Sequence, residues 1–132
     1  MKLIKYAGMF LALMFVCLQA SSAEAETADI TVAELKQAIA DKKVTLLDCN
    51  GSESYAKGHL PGAIDFSAAG DKLATMLPAD KAMMIVAYCG GPKCLAYRAG
   101  VAAARKLGYT NIKHFSGGLS GWKKAGEKLQ TK

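Results

Sequence analysis

Residues 83–94 read Met83-Met-Ile-Val-Ala-Tyr-Cys89-Gly-Gly-Pro-Lys-Cys94, and this stretch decides the fold. Residues 83–87 are continuously apolar, which is typical of a strand that is buried on both faces of a parallel sheet. Cys89 lies where that strand ends. Residues 90–94 form a short glycine-containing loop, and the alanine-rich residues 95–107 have the composition of a helix. The stretch therefore predicts a strand, a loop and a helix in succession.

The predicted geometry places the Cys89 thiol just before a helix N-terminus. Unpaired backbone N–H groups and the positive end of the helix dipole stabilise an anion there, which favours a reactive thiolate. Gly90 and Gly91 are expected to let the backbone curl around the sulfur in conformations that side chains forbid, and Lys93 to add positive charge at the mouth of the loop. Cys89 is thus a candidate nucleophile. The alternative is a buried strand cysteine beside an ordinary turn.

The first 25 residues have the three parts of a secretory signal peptide. A basic start, Met1-Lys-Leu-Ile-Lys5, precedes an apolar run at residues 7–18, and Ala23-Glu-Ala25 fits the small-x-small cleavage rule. The apolar run is shorter than the roughly 20 residues that a membrane-spanning helix needs, so no membrane anchor is expected after cleavage. We therefore expect a periplasmic or secreted protein whose mature domain is residues 26–132.

The cysteines and charges narrow the function further. Cys49, Cys89 and Cys94 of the mature region are an odd number, so in an oxidising compartment at least one thiol stays free or pairs between molecules. The formal net charge of the whole chain is +6, which suits a small anionic substrate. The lysines are scattered and are not interleaved with aromatic residues, so no nucleic-acid partner is expected.

Strand and helix patterns alternate along residues 26–132, which predicts an α/β fold with a parallel sheet. Thr31 and Glu34 form a capping-box pattern at the start of the first helix. Residues 67–70 are expected to form a loop. The expected strands lie at residues 29–30, 44–48, 63–66, 83–87 and 109–115, and the expected helices at residues 31–40, 53–57, 71–77, 95–107 and 119–125. The expected buried face of the fourth helix consists of Leu95, Ala99, Ala102 and Ala103.

Three segments carry a resemblance to a known family. They are Leu47-Asp-Cys-Asn followed by Glu53-Ser-Tyr-Ala-Lys-Gly-His-Leu-Pro-Gly-Ala-Ile64, then Tyr88-Cys89 with its loop and a helix that ends at Leu107-Gly-Tyr109, and finally Phe115-Ser-Gly-Gly-Leu-Ser-Gly-Trp122. In this order they resemble the motifs of single-domain rhodaneses, which are sulfurtransferases. The match spans residues 29–126. It implies a rhodanese-like three-layer sandwich with a central, mostly parallel five-stranded sheet and helices on both faces.

The resemblance also implies an activity. Cys89 would attack the outer sulfur of a donor such as thiosulfate, hold it as a persulfide, and pass it to a thiol or cyanide-like acceptor; a protein acceptor stays open. Backbone N–H groups of the loop would bind the anionic sulfur. The candidate donors are Gly90, Gly91, Lys93, Cys94 and Leu95. No cofactor is implied, and no set of metal ligands has a suitable spacing.

Two positions depart from the family pattern. Family members often carry Asp-x-Arg where this chain has Asp48-Cys49-Asn50, which removes a cation from near the site. Many also carry a basic or hydroxyl residue at the end of the loop, where this chain has Cys94. These departures affect the expected substrate and acceptor rather than the expected fold.

Five further residues are expected to support the site or the core. Asp48 stands at the carboxyl end of a strand, on the side where α/β sites collect, and is expected to orient the turn beside the site. Arg98, one turn into the helix, is expected to form a structural salt bridge rather than to bind substrate. Cys49, His59 and His114 are expected to be structural.

Two other functions stay open on the sequence. Cys89 and Cys94 would make a dithiol redox protein if the loop brings their α-carbons within the roughly 7 Å that a disulfide tolerates. The fold would otherwise serve as a non-catalytic binding module, although Cys89 at the first loop position argues against that. A phosphatase of the related dual-specificity class is disfavoured, because Leu95 stands where its phosphate-binding arginine is needed.

Overall fold

The computed structural model describes residues 26–132, so the expected signal peptide at residues 1–25 lies outside the described residues. Within that range, no helix has the length and apolar character needed to cross a membrane. The elements are β1 Ala28–Asp29, α1 Val32–Ala40, β2 Val44–Asp48, α2 Ser52–Lys57, β3 Ile64–Asp65, α3 Phe66–Ala69, α4 Leu73–Met76, β4 Met84–Tyr88, α5 Tyr97–Lys106, β5 Ile112–Phe115 and α6 Gly118–Lys124. A 3-10 turn at Gly70–Lys72 connects α3 to α4.

The five strands form one sheet in the order β1-β5-β4-β2-β3, and every neighbouring pair is parallel. β4 lies at the centre and its residues 85–88 are buried, as its apolar run predicts. Because parallel strands end at the same edge of a sheet, the last residues of three strands are neighbours in register. These residues are Asp48 of β2, Tyr88 of β4 and Phe115 of β5. The expected α/β sandwich with a parallel central sheet is confirmed.

Helices cover both faces of the sheet. Successive residues of a strand point to opposite faces, so the strands contribute side chains to two separate hydrophobic clusters. Residues of α3, α4 and α5 pack on one face, where the buried side chains include Leu47, Leu73, Ile85, Ala87, Val101 and Ala104. Residues of α1 and α6 pack on the other face, where they include Leu35, Leu46, Val86, Tyr88, Phe115 and Trp122. The predicted capping box starts α1, because the Glu34 N–H donates to the Thr31 hydroxyl oxygen and the Thr31 N–H donates to the Glu34 carboxylate.

The structure differs from the sequence prediction around residues 66–77. The sequence predicts a loop at residues 67–70 and one helix at residues 71–77, whereas the structure has two short helices, α3 and α4. α3 forms because the Asp65 carboxylate accepts a hydrogen bond from the Ala68 N–H at 3.1 Å and so caps the helix. Gly70 follows with a φ of +48°, which ends α3, and a 3-10 turn over Gly70–Lys72 takes the place of the first residues of the helix predicted at 71–77.

α5 begins later than the sequence predicts, at Tyr97 instead of residue 95. The chain before it makes two tighter turns, in which the Arg98 and Ala99 N–H groups donate to the carbonyl oxygens of residues 95 and 96. The face that α5 buries also differs, because its sheet-facing residues are Gly100, Val101 and Ala104. In the predicted face of residues 95, 99, 102 and 103, the first three are exposed. Gly100 sets the observed face, since a Cβ there would lie 2.8 Å from the sulfur of Cys49 in the sheet.

The two strands at one edge of the sheet are also displaced from their predicted bounds. β5 begins at Ile112 rather than at residue 109, because the Tyr109 side chain packs into the core and its hydroxyl donates to the Pro78 carbonyl. β1 occupies Ala28–Asp29, one residue earlier than predicted, and pairs with the centre of β5. Neither shift alters the order of the strands.

Candidate active site

Cys89 lies directly after β4, at the carboxyl edge of the sheet where α/β proteins collect their sites. The Cys49 N–H donates to the Tyr88 carbonyl at 2.9 Å, which extends the pairing of β2 and β4 to the cysteine. Cys89 is 1% exposed and packs in the core under α5 with Ala87. The candidate nucleophile therefore lies where the sequence predicts, at the end of the central strand.

The first turn of α6 holds the loop that follows Cys89. The Leu119 N–H donates to the Cys89 carbonyl and the Ser120 N–H donates to the Gly90 carbonyl, both at 3.0 Å. In a trans peptide the carbonyl and the next N–H point in opposite directions, so the N–H groups of Gly90 and Gly91 face away from α6. Neither N–H group has a partner within residues 26–132. Two adjacent backbone donors are thus left to bind an anion.

Gly118 at the start of α6 allows this close contact between helix and loop. Its φ is +56°, a left-handed conformation that residues with a Cβ rarely adopt. A Cβ there would overlap the Cys89 carbonyl oxygen and would lie 2.8 Å from both the Gly90 carbonyl carbon and the Gly91 nitrogen. In the sequence, Gly117-Gly118 predicts a glycine turn within a segment that resembles the family, but the contact of Gly118 with the cysteine loop is not predicted.

Gly90 and Gly91 are expected to adopt backbone conformations that side chains forbid, and this expectation is wrong. Neither Gly90 nor Gly91 has a positive φ, so the backbone there does not need a conformation that side chains forbid. At Gly91 a Cβ would lie 2.9 Å from the Ser120 hydroxyl oxygen, so the Ser120 side chain would have to move to accept it. At Gly90 a Cβ would make an ordinary contact, 3.6 Å from the side-chain oxygen of Asn50.

Cys89 and Cys94 form a disulfide, with their α-carbons 6.2 Å apart. This separation lies within the roughly 7 Å between α-carbons that a disulfide tolerates, which is the condition for a dithiol redox function. The Cys94 N–H donates to the Gly91 carbonyl at 3.1 Å, so it is not available to an anion as predicted. Cys94 is partly exposed, unlike its buried partner. In this oxidised state the site holds no free Cys89 thiol.

Lys93 and Leu95 lie on the outside of the loop. Lys93 is exposed and forms no ion pair or hydrogen bond within residues 26–132. The Leu95 side chain is 57% exposed, and its carbonyl accepts the Arg98 N–H. Because α5 begins only at Tyr97, its N-terminus is further from Cys89 in the chain than the sequence predicts. The first turn of α6 contacts the loop directly, through its hydrogen bonds to the Cys89 and Gly90 carbonyls.

Asp48 supports the site through Tyr88, the residue before Cys89. It is fully buried, and its carboxylate accepts hydrogen bonds from the Tyr88 hydroxyl at 2.6 Å and from the Asn50 N–H at 2.9 Å. The Tyr88 hydroxyl oxygen also accepts the Leu60 N–H at 3.0 Å. Burial and the bond to Asp48 raise the pKa of Tyr88 well above its usual value, so the phenol keeps its proton. Asp48 thus contacts the end of β4 through the Tyr88 hydroxyl, on the sheet face opposite to Cys89.

Arg98 lines a surface pocket and does not form the expected salt bridge. It is exposed, and it makes no ion pair with any residue from 26 to 132. The pocket beside it has a volume of about 590 Å³ and runs along α5, with Tyr97, Arg105 and His114 among its lining residues. None of the three cysteines lines this pocket.

Both histidines stack on tyrosines and fit the structural role that the sequence predicts. The His59 ring lies 3.7 Å from the Tyr55 ring, and its Nδ1–H donates to the Tyr55 carbonyl at 2.8 Å. The His114 ring lies 3.3 Å from the Tyr97 ring. Burial lowers the pKa of His114, which favours the neutral imidazole. Within residues 26–132, no group of three or more His, Cys, Asp or Glu side chains is placed to hold a metal ion.

Cys49 is a buried free thiol on the same face of the sheet as Cys89. Burial raises the pKa of Cys49 to about 12. The thiol therefore keeps its proton at neutral pH, and a protonated buried thiol is a poor nucleophile. This agrees with the expectation that Cys49 is a small core residue.

Replacing Cys49 with alanine is expected to reduce the loss of stability at alkaline pH. The unfolded thiol ionises at about pH 8.5, whereas the folded thiol keeps its proton to about pH 12. Between these values the unfolded state binds fewer protons, so the parent's unfolding free energy falls by up to about 1.4 kcal/mol per pH unit. Urea unfolding of the parent and of Cys49→Ala, at neutral pH and near pH 10, measures the difference. The same pH dependence in both proteins would contradict the assignment.

Comparison with known proteins assigns the chain to a class. Residues 31–125 match the rhodanese-like domain family, which is most of the chain. The chain belongs to this family, and its fold is the rhodanese fold. The match includes Cys89, the α6 contact and the Asp48 network.

The particular relatives differ in their described roles. The chain is 39% identical over 99 residues to the HTH-type transcriptional regulator Rv0324 of Mycobacterium tuberculosis, a match that covers 74% of this chain and 42% of the regulator. The chain thus spans less than half of that relative's length. Thiosulfate sulfurtransferase from Pseudomonas aeruginosa superposes with a TM-score of 0.66 at 20% identity, covering 80% of this chain and 20% of that one. SseA from Escherichia coli, described with the 3-mercaptopyruvate sulfotransferases, superposes with a TM-score of 0.64 at 21% identity. That match covers 81% of this chain and 51% of SseA. At these identities the two structures establish the shared fold.

Proposed function

We propose that the chain is an exported sulfurtransferase that moves sulfane sulfur from thiosulfate, or a related anionic donor, to a thiol or cyanide-like acceptor. The observation that carries the proposal is Cys89 itself, at the end of the central strand, followed by two N–H groups that have no partner within residues 26–132. The described relatives with sulfurtransferase names share this fold, which adds support. The transcriptional regulator among the relatives contains this region as less than half of its length, so its name does not decide the role of the domain.

The proposed reaction uses the reduced form of the site. The Cys89 thiolate attacks the outer sulfur of thiosulfate, the sulfur–sulfur bond of the donor breaks, and sulfite leaves with the bonding electrons. The product on the protein is a Cys89 persulfide. The acceptor then attacks the outer sulfur of the persulfide and Cys89 leaves as a thiolate. No net oxidation or reduction of the protein occurs in the cycle.

Backbone groups supply the electrostatic part of this chemistry. The N–H groups of Gly90 and Gly91 face away from α6 and would donate to the persulfide or to a donor oxygen. Because α6 fixes the orientation of both peptides, little reorganisation is needed when charge develops. Asp48 and Tyr88 hold the end of β4, which fixes the position from which the Cys89 thiolate attacks.

Mass spectrometry of the reduced protein after thiosulfate treatment tests the proposal. A gain of one sulfur atom on the Cys89 peptide, removed by cyanide with formation of thiocyanate, supports sulfur transfer. A protein that returns to the Cys89–Cys94 disulfide without releasing sulfite or sulfide supports the second candidate function. An unchanged reduced protein would contradict both functions and leave a binding module.

The second candidate is a dithiol redox protein, and the observed disulfide favours it. The same pair also allows a link between the two functions. The Cys94 thiolate would attack the inner sulfur of the Cys89 persulfide, release sulfide, and form the disulfide seen in the structure. Peptide mapping would then recover the Cys89–Cys94 crosslink after a single addition of donor to the reduced protein.

Replacing Lys93 with alanine is expected to raise the KM for thiosulfate several-fold and to leave the fold unchanged. The exposed Lys93 would act through its charge on an anionic donor, so added salt should weaken donor binding to the parent in the same direction. Steady-state assays at low and at high salt measure both effects. Lys57→Ala is a matched control, since Lys57 is exposed but pairs with Glu53 on α2. An unchanged KM at low salt would assign Lys93 to the solvated surface.

The export of the protein is a proposal of the same kind. It is supported by the signal-peptide pattern at residues 1–25 and by the disulfide, which persists in oxidising compartments. N-terminal sequencing of the protein recovered from the periplasm tests it. A first residue at or near Glu26 is expected, whereas an intact N-terminus in the cytoplasm would contradict it.

A further inference from the structure

The two cysteines of the disulfide are not equally exposed. Cys89 is 1% exposed and packs under α5, whereas Cys94 is partly exposed near the loop surface. An incoming thiolate must reach one sulfur of a disulfide, and access decides which sulfur it attacks. The departing sulfur matters as well, because a stabilised thiolate leaves faster. Cys89, beside the unpartnered N–H groups of Gly90 and Gly91, is the better leaving group.

We infer that the oxidised site is opened at Cys94 by a dithiol protein that docks on the exposed loop at residues 92–96. The inference rests on the proposed function in one respect, because it names the partner that restores the Cys89 thiolate. The opening step itself does not require sulfur transfer. Cys94 is then the contact cysteine for redox partners, and Cys89 is the sulfur carrier.

The chemistry of opening is a pair of thiol–disulfide exchanges. A partner thiolate attacks the sulfur of Cys94, the Cys89–Cys94 bond breaks, and Cys89 leaves as a thiolate. The second partner thiolate attacks the partner's own sulfur in the mixed disulfide and releases Cys94, which takes up a proton. The partner ends as a disulfide, and the two electrons it loses reduce the protein. The co-reactant is thus a protein dithiol.

The surface around Cys94 suits a protein partner. Pro92, Lys93, Leu95 and Ala96 are all exposed beside it. Of the described residues, two large apolar side chains are exposed, and Leu95 at 57% is one of them. An exposed apolar side chain that adjoins a reactive disulfide gives a partner apolar area to bury at the point of attack. Lys93 adds a positive charge that attracts a partner with acidic groups near its dithiol.

A trapping experiment tests which sulfur is attacked. The oxidised protein is mixed with a thioredoxin whose second active-site cysteine is replaced by serine, so that the mixed disulfide is not resolved. After an acid quench and alkylation, peptide mapping is expected to show thioredoxin joined to Cys94 and the alkyl label on Cys89. Thioredoxin joined to Cys89, with the label on Cys94, would overturn the inference.

A second experiment tests the docking surface. The rate of reduction by intact thioredoxin is divided by the rate with dithiothreitol, so that changes in the disulfide itself cancel. Leu95→Ser is expected to lower this ratio about tenfold, the equivalent of about 1.4 kcal/mol of contact energy. Met76→Ser is the matched control, because Met76 is 48% exposed on α4, away from the loop in sequence, and its ratio should not change.

An unchanged ratio in Leu95→Ser would overturn the docking surface. A dimer of the parent that Leu95→Ser abolishes, seen by sedimentation velocity, would assign the surface to a second copy of this chain and also overturn it. Sulfur transfer is assayed separately on fully reduced protein. Its absence would remove the proposed function, while the position of the thioredoxin crosslink would still decide whether Cys94 is the contact cysteine.

Discussion

Replacing Cys89 with serine is expected to abolish sulfur transfer from thiosulfate to cyanide, with kcat/KM falling at least about a thousandfold, or about 4 kcal/mol in the barrier. A serine hydroxyl is far less acidic than a thiol, and its oxygen cannot form a persulfide. The serine side chain fits the space of the cysteine under α5, so the fold should be retained, although its buried hydroxyl costs some stability. Thiocyanate formation by the reduced proteins measures the effect, and circular dichroism checks the fold.

Cys94→Ser is the matched control for Cys89→Ser, because both variants lose the disulfide and only one loses the proposed carrier. It should still take up sulfur from thiosulfate on Cys89. It should also hold its persulfide longer than the parent, since no second thiol is present to attack the inner sulfur and release sulfide. Turnover by Cys89→Ser above the background of the reagents would move the carrier to Cys94 or Cys49.

The sheet and its central strand could be predicted from the sequence because their signals are local. The apolar run at residues 83–87 indicates a buried strand within a few residues. The start of α1 is equally local, because the capping box at Thr31 needs only the hydrogen bonds between Thr31 and Glu34. α3 was missed for the opposite reason. Its four residues are too few to show a helical period, and the cap from Asp65 is the only local signal.

The candidate site was predicted less well, because its geometry depends on contacts between distant segments. The position of Cys89 follows from one strand and could be read locally. The orientation of the loop peptides depends on Leu119 and Ser120, which lie about thirty residues further along the chain. The buried face of α5 could not be predicted either, since it is set by the close contact of Gly100 with Cys49, the residue that follows β2. Composition alone favoured a helix from residue 95.

The contact between α6 and the cysteine loop leads to the second large expected effect. Replacing Gly118 with alanine is expected to lower the unfolding free energy by about 2 to 5 kcal/mol, the sum of left-handed backbone strain and overpacking. The added Cβ would meet the Cys89 carbonyl and the backbone of Gly90 and Gly91. Hydrogen bonds from the Leu119 and Ser120 N–H groups to the Cys89 and Gly90 carbonyls hold this segment in place. Urea unfolding measures the loss, and sulfur transfer should fall further than stability alone explains, because the loop amides are displaced.

Gly126→Ala separates the clash from the backbone strain. Gly126 follows the other end of α6 with a φ of +77°, and a Cβ there would meet no atom within 4 Å. This variant should therefore lose only the strain of about 1 to 2 kcal/mol and should keep the persulfide yield of the parent. If Gly118→Ala loses no more stability than Gly126→Ala and forms as much persulfide, the loop does not depend on α6. If Gly118→Ala loses more stability and more persulfide yield than Gly126→Ala, α6 fixes the two peptides that follow Cys89.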